Sequence, residues 1–401
     1  MTRASVDNVA EGGGNESVIE SALKIATKKL KGPILGHGSI AHFNCQSQMR
    51  ARLSERLGKI TPTKRFNPLI LASFPTMAVF TPVSESDANF LLSQYSLGEF
   101  VSLKGIAAGI ENSNYFLRTT SAEYVLTIFE VLKAEQLPFY IELMHHLAER
   151  NIPVPKPQTR QDGSRLAALH NKPAAIVSKL PGSCIVAPTA AHCALTGATL
   201  AQAHLAAVDF PIHQANLRGL AWWQETAPVV LPFLTDPARD LLTTSLAEQV
   251  ARAQSLEWQT LPKGPSHCDL FRDNVLFAGT SDSPVLGGFI DFYFAGVDAW
   301  LFDVAVCIND WCIEQSTGRI IPELSSAWLQ AYSRVRPFTD QEHQLWPSML
   351  RAAALRFWIS RLYDFYLPRP AQTLKPHDPT HFERILFQRT LHPIQALPKE
   401  S

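Results

Sequence analysis

The chain has no net charge to speak of. Lys and Arg together number 36, as do Asp and Glu, so the formal charge is zero over 401 residues. A balance of that kind gives no reason to expect nucleic acid or an anionic membrane as partner. No apolar run reaches the roughly 18 residues a membrane helix needs. Cysteine is scarce and scattered: Cys45, Cys184, Cys193, Cys268, Cys307 and Cys312 make no C-x-x-C pair and no zinc spacing. A secretory signal is missing too, which points to reduced thiols in a cytoplasmic protein. Internal repeats and long low-complexity tracts are likewise absent.

What is present is globular, with 46% hydrophobic and 18% charged residues. Residues 1–76 differ from the rest. They carry eleven Lys/Arg against five Asp/Glu, a Gly12–Gly14 run and little periodicity, and read as a basic, disordered extension. A fresh start is legible at Met77, and Ser84 followed by Asp87 is a helix N-cap signal. Residues 100–107, 114–119 and 123–129 alternate like strands, and 136–150 is an amphipathic helix stopped by the proline-rich Ile152–Pro157. A strand over Ala174–Leu180 ends at Pro181-Gly182, a hinge. Helical periodicity then dominates at 189–208, 237–257, 325–335 and 343–366, around a strand–loop–strand stretch at 264–298. The expected class is α+β, in two lobes. Residues 77–182 form a small antiparallel sheet lobe with one helix, and 183–401 a larger, mainly helical lobe.

The stretch His267-Cys268-Asp269-Leu270-Phe271-Arg272-Asp273-Asn274 fits H-x-D-L-x-x-x-N. Phosphoryl transfer needs a carboxylate beside the attacking hydroxyl and an oxygen ligand for Mg²⁺ on the nucleotide phosphates. A short loop presents both to one cleft. Downstream, the apolar strand Gly288–Ile290 ends in Asp291-Phe292. Asn274 with Asp291 is the sparse hard-oxygen set that Mg²⁺ takes when phosphates complete its shell. A lone H-x-D, or a lone Asp at a strand end, is more often a turn. The ordered series of sheet, helix, hinge, loop and Asp-Phe is much more specific.

These motifs, with Met77–Pro82, Glu123–Glu130, Leu143–Pro155, Val177–Gly182 and Ile308–Cys312, resemble the aminoglycoside phosphotransferase/choline kinase superfamily of protein-kinase-like fold. Within it they are most similar to the homoserine kinases of bacterial threonine biosynthesis. The resemblance implies ATP and Mg²⁺ as cofactors and a small-molecule substrate, L-homoserine. It implies that Asp269 is the catalytic base and that Asn274 and Asp291 bind magnesium. His267 and Asp303 would brace the loop. The nucleotide would lie against Gly109, Asn112, Ser113 and Thr127, with adenine at the hinge backbone of Ser178–Leu180.

Three positions depart from the superfamily pattern. Cys268 stands where Gly is usual, which raises the question of a positive φ there. Arg272 stands where Pro is usual, and either adds charge near the phosphates or points to solvent. Thr127 occupies the place of the phosphate-binding Lys of V-A-I-K. The homoserine kinases resemble this chain in that respect, so the change does not imply inactivity. Lys104 and Arg118 read as solvated strand residues, and Glu142 is left without its usual Lys partner.

An amino-acid substrate asks for an anion site for its carboxylate and an acid for its ammonium. The helical lobe offers Asp310, Trp311, Arg356 and Arg361, with Asp364, Trp358 and Tyr363 nearby. Arg356 and Arg361, five apart, share one helix face incompletely. Two rival readings remain. One is a sibling kinase acting on choline, methylthioribose or an aminoglycoside. The other is a nucleotide-binding pseudokinase, suggested by the missing Lys.

Overall fold

The computed structural model describes residues 81–106, 112–368, 377–392 and 394–399. The basic stretch 1–76, the start at Met77 and Gly109 all lie outside the described residues.

Helix α1 (Glu85–Leu92) opens with the expected cap: Ser84 accepts the Asp87 N–H, and Asp87 accepts the Ser84 N–H at 2.8 Å. Five strands follow: β1 (Phe100–Gly105), β2 (Asn112–Thr119), β3 (Glu123–Phe129), β4 (Ala167–Leu169) and β5 (Lys172–Ser178). They form one antiparallel sheet in the order β1-β2-β3-β5-β4. Helix α2 (Pro138–Glu149) interrupts them after β3. Side chains alternate between the two faces of the sheet. Tyr115, Leu117, Tyr124, Leu126, Ile128 and Ile176 pack against Leu91 and Leu92 of α1 in a core of their own. Asn112, Asn114, Phe116, Val125, Thr127 and Val177 occupy the opposite face, which looks into a cleft.

The chain leaves the sheet at Pro181-Gly182. Gly182 has φ +96°, and a Cβ there would sit 2.4 Å from the Phe277 carbonyl oxygen, so only glycine passes at this hinge. The second lobe contains α3 (Ala190–Ala206), α4 (Leu220–Val230), α5 (Asp236–Ala253), α6 (Leu256–Gln259), β6 (Lys263–Ser266), β7 (Val275–Gly279), β8 (Pro284–Phe289), β9 (Gly296–Ala299), α7 (Trp300–Trp311), α8 (Pro322–Val335), α9 (Asp340–Tyr366) and α10 (Thr380–Leu391). Every residue of α7 is buried, Asp303, Asn309 and Asp310 included, as its mostly apolar sequence suits a central helix. Trp311, Trp328, Trp346 and Trp358 are fully buried around it, each worth about 2–3 kcal/mol of apolar burial. No helix of the described residues is long and apolar enough to cross a membrane.

Candidate active site

The loop 267–274 is held at both ends by short β ribbons. It leaves β6, which pairs with β9, and enters β7, which pairs with β8. Asp291 follows β8 and precedes β9. The Ile290 N–H donates to the Asn274 carbonyl at 2.9 Å, which sets the Asn274 and Asp291 loops edge to edge. Asp303, in the first turn of α7 and fully buried, accepts the backbone N–H of His267 at 2.7 Å and of Cys268 at 2.8 Å. His267 donates through Nε2 to the Ile290 carbonyl at 2.8 Å and packs on Phe292. Both residues therefore sit where a bracing role requires. Burial pushes the His267 pKa down, which keeps the ring neutral. Burial alone raises the Asp303 pKa, but the hydrogen bond and charge of His204 and the loop N–H groups bring it below the ordinary value.

Two non-glycine residues of this assembly are left-handed, Cys268 at φ +62° and Asp291 at φ +63°. Such backbone costs about 1–3 kcal/mol and persists only where surroundings over-determine it. Here Asp303 holds the first, and the β7–β8 hairpin leads into the second. The question that the sequence raised at Cys268 is answered: the site does take a positive φ.

Asp269, Asn274 and Asp291 line one cleft between the lobes, with a volume of about 670 Å³, within the usual range for small-molecule sites. Asn274 Nδ2 donates to the Asp269 carbonyl at 2.8 Å and lies 3.4 Å from Asp269 Oδ2, so its Oδ1 is the atom left to act as an acceptor. Burial raises the Asp269 carboxyl to a pKa of about 7, with Asp291 adding to the rise while Arg356 and Arg361 oppose it. A carboxylate poised there is matched to proton abstraction near neutral pH. Among the described residues no three His, Cys, Asp or Glu side chains gather as a protein-only metal cage. One amide oxygen and one carboxylate fit Mg²⁺, which keeps water and phosphate oxygens for the rest of its shell.

The sheet-side wall carries Asn112, Asn114 and Thr127, and the hinge contributes Ser178, Lys179 and Leu180. Thr127 Oγ1 donates to Asn114 Oδ1 at 2.8 Å and also bonds with the Tyr293 side chain. Lys179 lines the cleft while pairing with Glu123 at 2.7 Å. Among the described residues, Lys104 and Arg118 do not line it; both are exposed.

Three expected residues are not in the cleft. Ser113 is fully buried on the other face of β2, where its hydroxyl donates to Glu130 and accepts the Thr81 N–H at 2.9 Å. The reason is parity: Asn112 and Asn114 face the cleft, so the residue between them cannot. Asp310 is spent on the loop from behind. It accepts the Arg272 backbone N–H at 2.8 Å and the Arg272 Nε at 3.1 Å. Trp311 is in the core, with its indole N–H donating to the Leu270 carbonyl at 3.0 Å. Arg272 is thereby aimed at Asp310 and the Val186 carbonyl. Trp358 is fully buried. Glu142 pairs with Arg165, both carboxylate oxygens lying within 2.9 Å of one guanidinium nitrogen.

Arg356 and Arg361 do reach the cleft, both from α9, together with Phe357, Ser360 and Asp364. The five-residue spacing matters less than expected because α9 turns a broad arc toward the cleft. Sequence reasoning missed His204 of α3. Its Nε2 lies 3.1 Å from Asp303 Oδ2 and its Nδ1 2.8 Å from the Tyr332 hydroxyl. Nothing local marks it, since its partners are far away in the chain.

Residues 102–338 match the phosphotransferase enzyme family, APH. Homoserine kinases of Burkholderia vietnamiensis and Burkholderia multivorans are 56% and 57% identical over 327 residues, covering 80% of this chain and 98% of each relative. That of Paraburkholderia phymatum is 57% identical over 317 residues, 78% of this chain and 98% of the relative. Among solved structures, an amicoumacin kinase in complex with AMP-PNP, Ca²⁺ and Ami superposes with a TM-score of 0.55 at 16% identity, over 75% of this chain and 91% of that one. A choline kinase from Cryptosporidium parvum gives 0.52 at 13% identity, over 76% and 95%. At such identities the likeness speaks for the fold, which is the two-lobed, protein-kinase-like one.

Proposed function

The chain belongs to the phosphotransferase enzyme family and, within it, to the homoserine kinases, and on that premise we propose how its cleft transfers the γ-phosphoryl group of ATP to the hydroxyl of L-homoserine. The observation that carries the assignment is the meeting of Asp269, Asn274 and Asp291 in one cleft between the lobes. The nucleotide lies under the sheet, with adenine at the hinge backbone of Ser178–Leu180 and the phosphates toward Asn112 and Thr127. Thr127 offers a hydroxyl where a lysine is common, so positive charge at the phosphates comes from elsewhere. Asn274 Oδ1 and the Asp291 carboxylate would hold Mg²⁺, which when bound would neutralise charge on the phosphate oxygens. Asp269 accepts a hydrogen bond from the homoserine hydroxyl and takes its proton. The hydroxyl oxygen forms its bond to the γ-phosphorus as the bond to the β-phosphate oxygen breaks, leaving ADP and O-phospho-L-homoserine. Arg356 and Arg361 supply positive charge on the acceptor's side.

Domain limits follow the same reading: a nucleotide-binding lobe over 77–182 and a catalytic lobe over 183–401. A cytoplasmic setting is supported by the free thiols of Cys184, Cys193, Cys268, Cys307 and Cys312. The test of the site is Asp269→Asn, which removes the base and keeps the shape. Turnover falls by about 10²–10⁴-fold, while ATP affinity by calorimetry stays within about threefold of wild type. Near-normal turnover in Asp269→Asn refutes the role.

A further inference from the structure

The homoserine kinase reading leaves open how the acceptor is recognised, and one buried arginine bears on that question. Helix α9 turns Arg356, Phe357, Ser360, Arg361 and Asp364 to the cleft. At about 100° per residue these span an arc of about 140°. Arg356 is 3% exposed. Its guanidinium lies 3.7 Å from Asp269 Oδ1, beyond hydrogen-bonding reach, and its Nε has no partner. It also lies against the faces of Phe357, at 3.7 Å from the ring centre, and Phe294, at 5.6 Å, with the charges of Arg218 and Arg361 nearby.

Arg336, the other deeply buried arginine that faces a carboxylate, is better satisfied: it makes paired bonds of 3.0 and 3.1 Å to Glu342. A guanidinium has five donors and no way to shed its charge cheaply, so burying it without acceptors is costly. In Arg356 the Nε is left unpartnered, and the facing carboxylate of Asp269 stands off at 3.7 Å. Two aromatic rings lie against the guanidinium, and the residue lines the cleft where a planar anion can approach it. This is the environment in which a carboxylate is bound by paired hydrogen bonds.

We propose that Arg356 receives the α-carboxylate of the acceptor and is the residue that selects an amino acid over a simple amino alcohol. The dimensions agree. The acceptor hydroxyl must lie on Asp269, and in homoserine the hydroxyl and carboxylate are about 4–5 Å apart at ordinary bond lengths. With a hydrogen bond of about 2.8 Å at each end, such a ligand bridges an arginine and a carboxylate that lie 3.7 Å apart. An acceptor without a carboxylate leaves Arg356 buried with its Nε unpartnered, and is rejected for that reason.

The test first establishes turnover of L-homoserine by the wild-type protein with Mg·ATP, then compares L-homoserinamide and 3-aminopropan-1-ol. Without homoserine turnover the functional reading itself fails. With it, the neutral-headed analogues are expected to lose on the order of a hundredfold or more in kcat/KM. An enzyme that takes the amide as readily as the acid overturns the carboxylate assignment and leaves the kinase reading standing. Arg356→Gln is expected to raise KM for homoserine on the order of a hundredfold, leave KM for ATP unchanged, and shrink the acid-to-amide preference to about threefold or less. Arg356→Lys restores part of the preference. If Arg356→Gln shifts only the pH profile and keeps the preference, the arginine is a counter-charge for Asp269 and the proposal is wrong.

Discussion

The Cys268 N–H donates to Asp303 Oδ1 at 2.8 Å, and the residue so held has φ +62°. Asp303 thus fixes the backbone just before Asp269 in a conformation that side chains resist. Cys268 is itself 1% exposed, so the site asks at once for something small, apolar and left-handed.

Those demands separate two substitutions. Cys268→Gly loses buried side-chain area but relieves the backbone, and is expected to keep its fold to within about 1 kcal/mol and most of its activity. Cys268→Val fills the space better but is β-branched at positive φ, and is expected to cost about 2 kcal/mol more. Thermal unfolding of the two variants decides. A valine variant as stable as the glycine one means the backbone there is not under strain.

The pH dependence follows from Asp269. Burial, reinforced by Asp291, raises its pKa to about 7. The base works only when ionised, so kcat/KM for the acceptor is expected to climb as pH rises through about 7 and then level off. A profile already flat down to about pH 5 matches an ordinary carboxylate and contradicts the environment described here.

Asp310 gives a prediction opposite to that of a substrate residue. It holds the Arg272 N–H and side chain behind the loop. Asp310→Asn is expected to lower stability by about 1–3 kcal/mol and to reduce kcat, with KM for homoserine within about threefold of wild type. A large rise in KM at unchanged stability returns Asp310 to the acceptor site.

The parts of the site that were legible in the sequence are those whose geometry is local. Asp269 and Asn274 share one short loop, Asp291 ends one strand, and the ordered series in which they fall points to a shared cleft. The rest depends on which face of an element turns inward. Ser113 and Asn112 are adjacent, and β-strand parity sends one to the core and the other to the cleft. Asp310 and Trp311 end a helix buried on all sides, so polarity could not tell a loop brace from a substrate contact. His204 and Arg165 find their partners only through tertiary packing, 99 and 23 residues away in the chain. The loop residues, with His267 and Asp303, were legible in the sequence; the contacts that His204 and Asp310 make behind them were not.

The central claim is that this cleft phosphorylates homoserine. The direct measurement is ADP release by the purified protein with Mg·ATP, offered in turn L-homoserine, choline, methylthioribose and kanamycin. The account predicts strong turnover with L-homoserine alone, accompanied by O-phospho-L-homoserine in the product mixture. ATP binding without turnover of any acceptor, or turnover of a different one in its place, contradicts it.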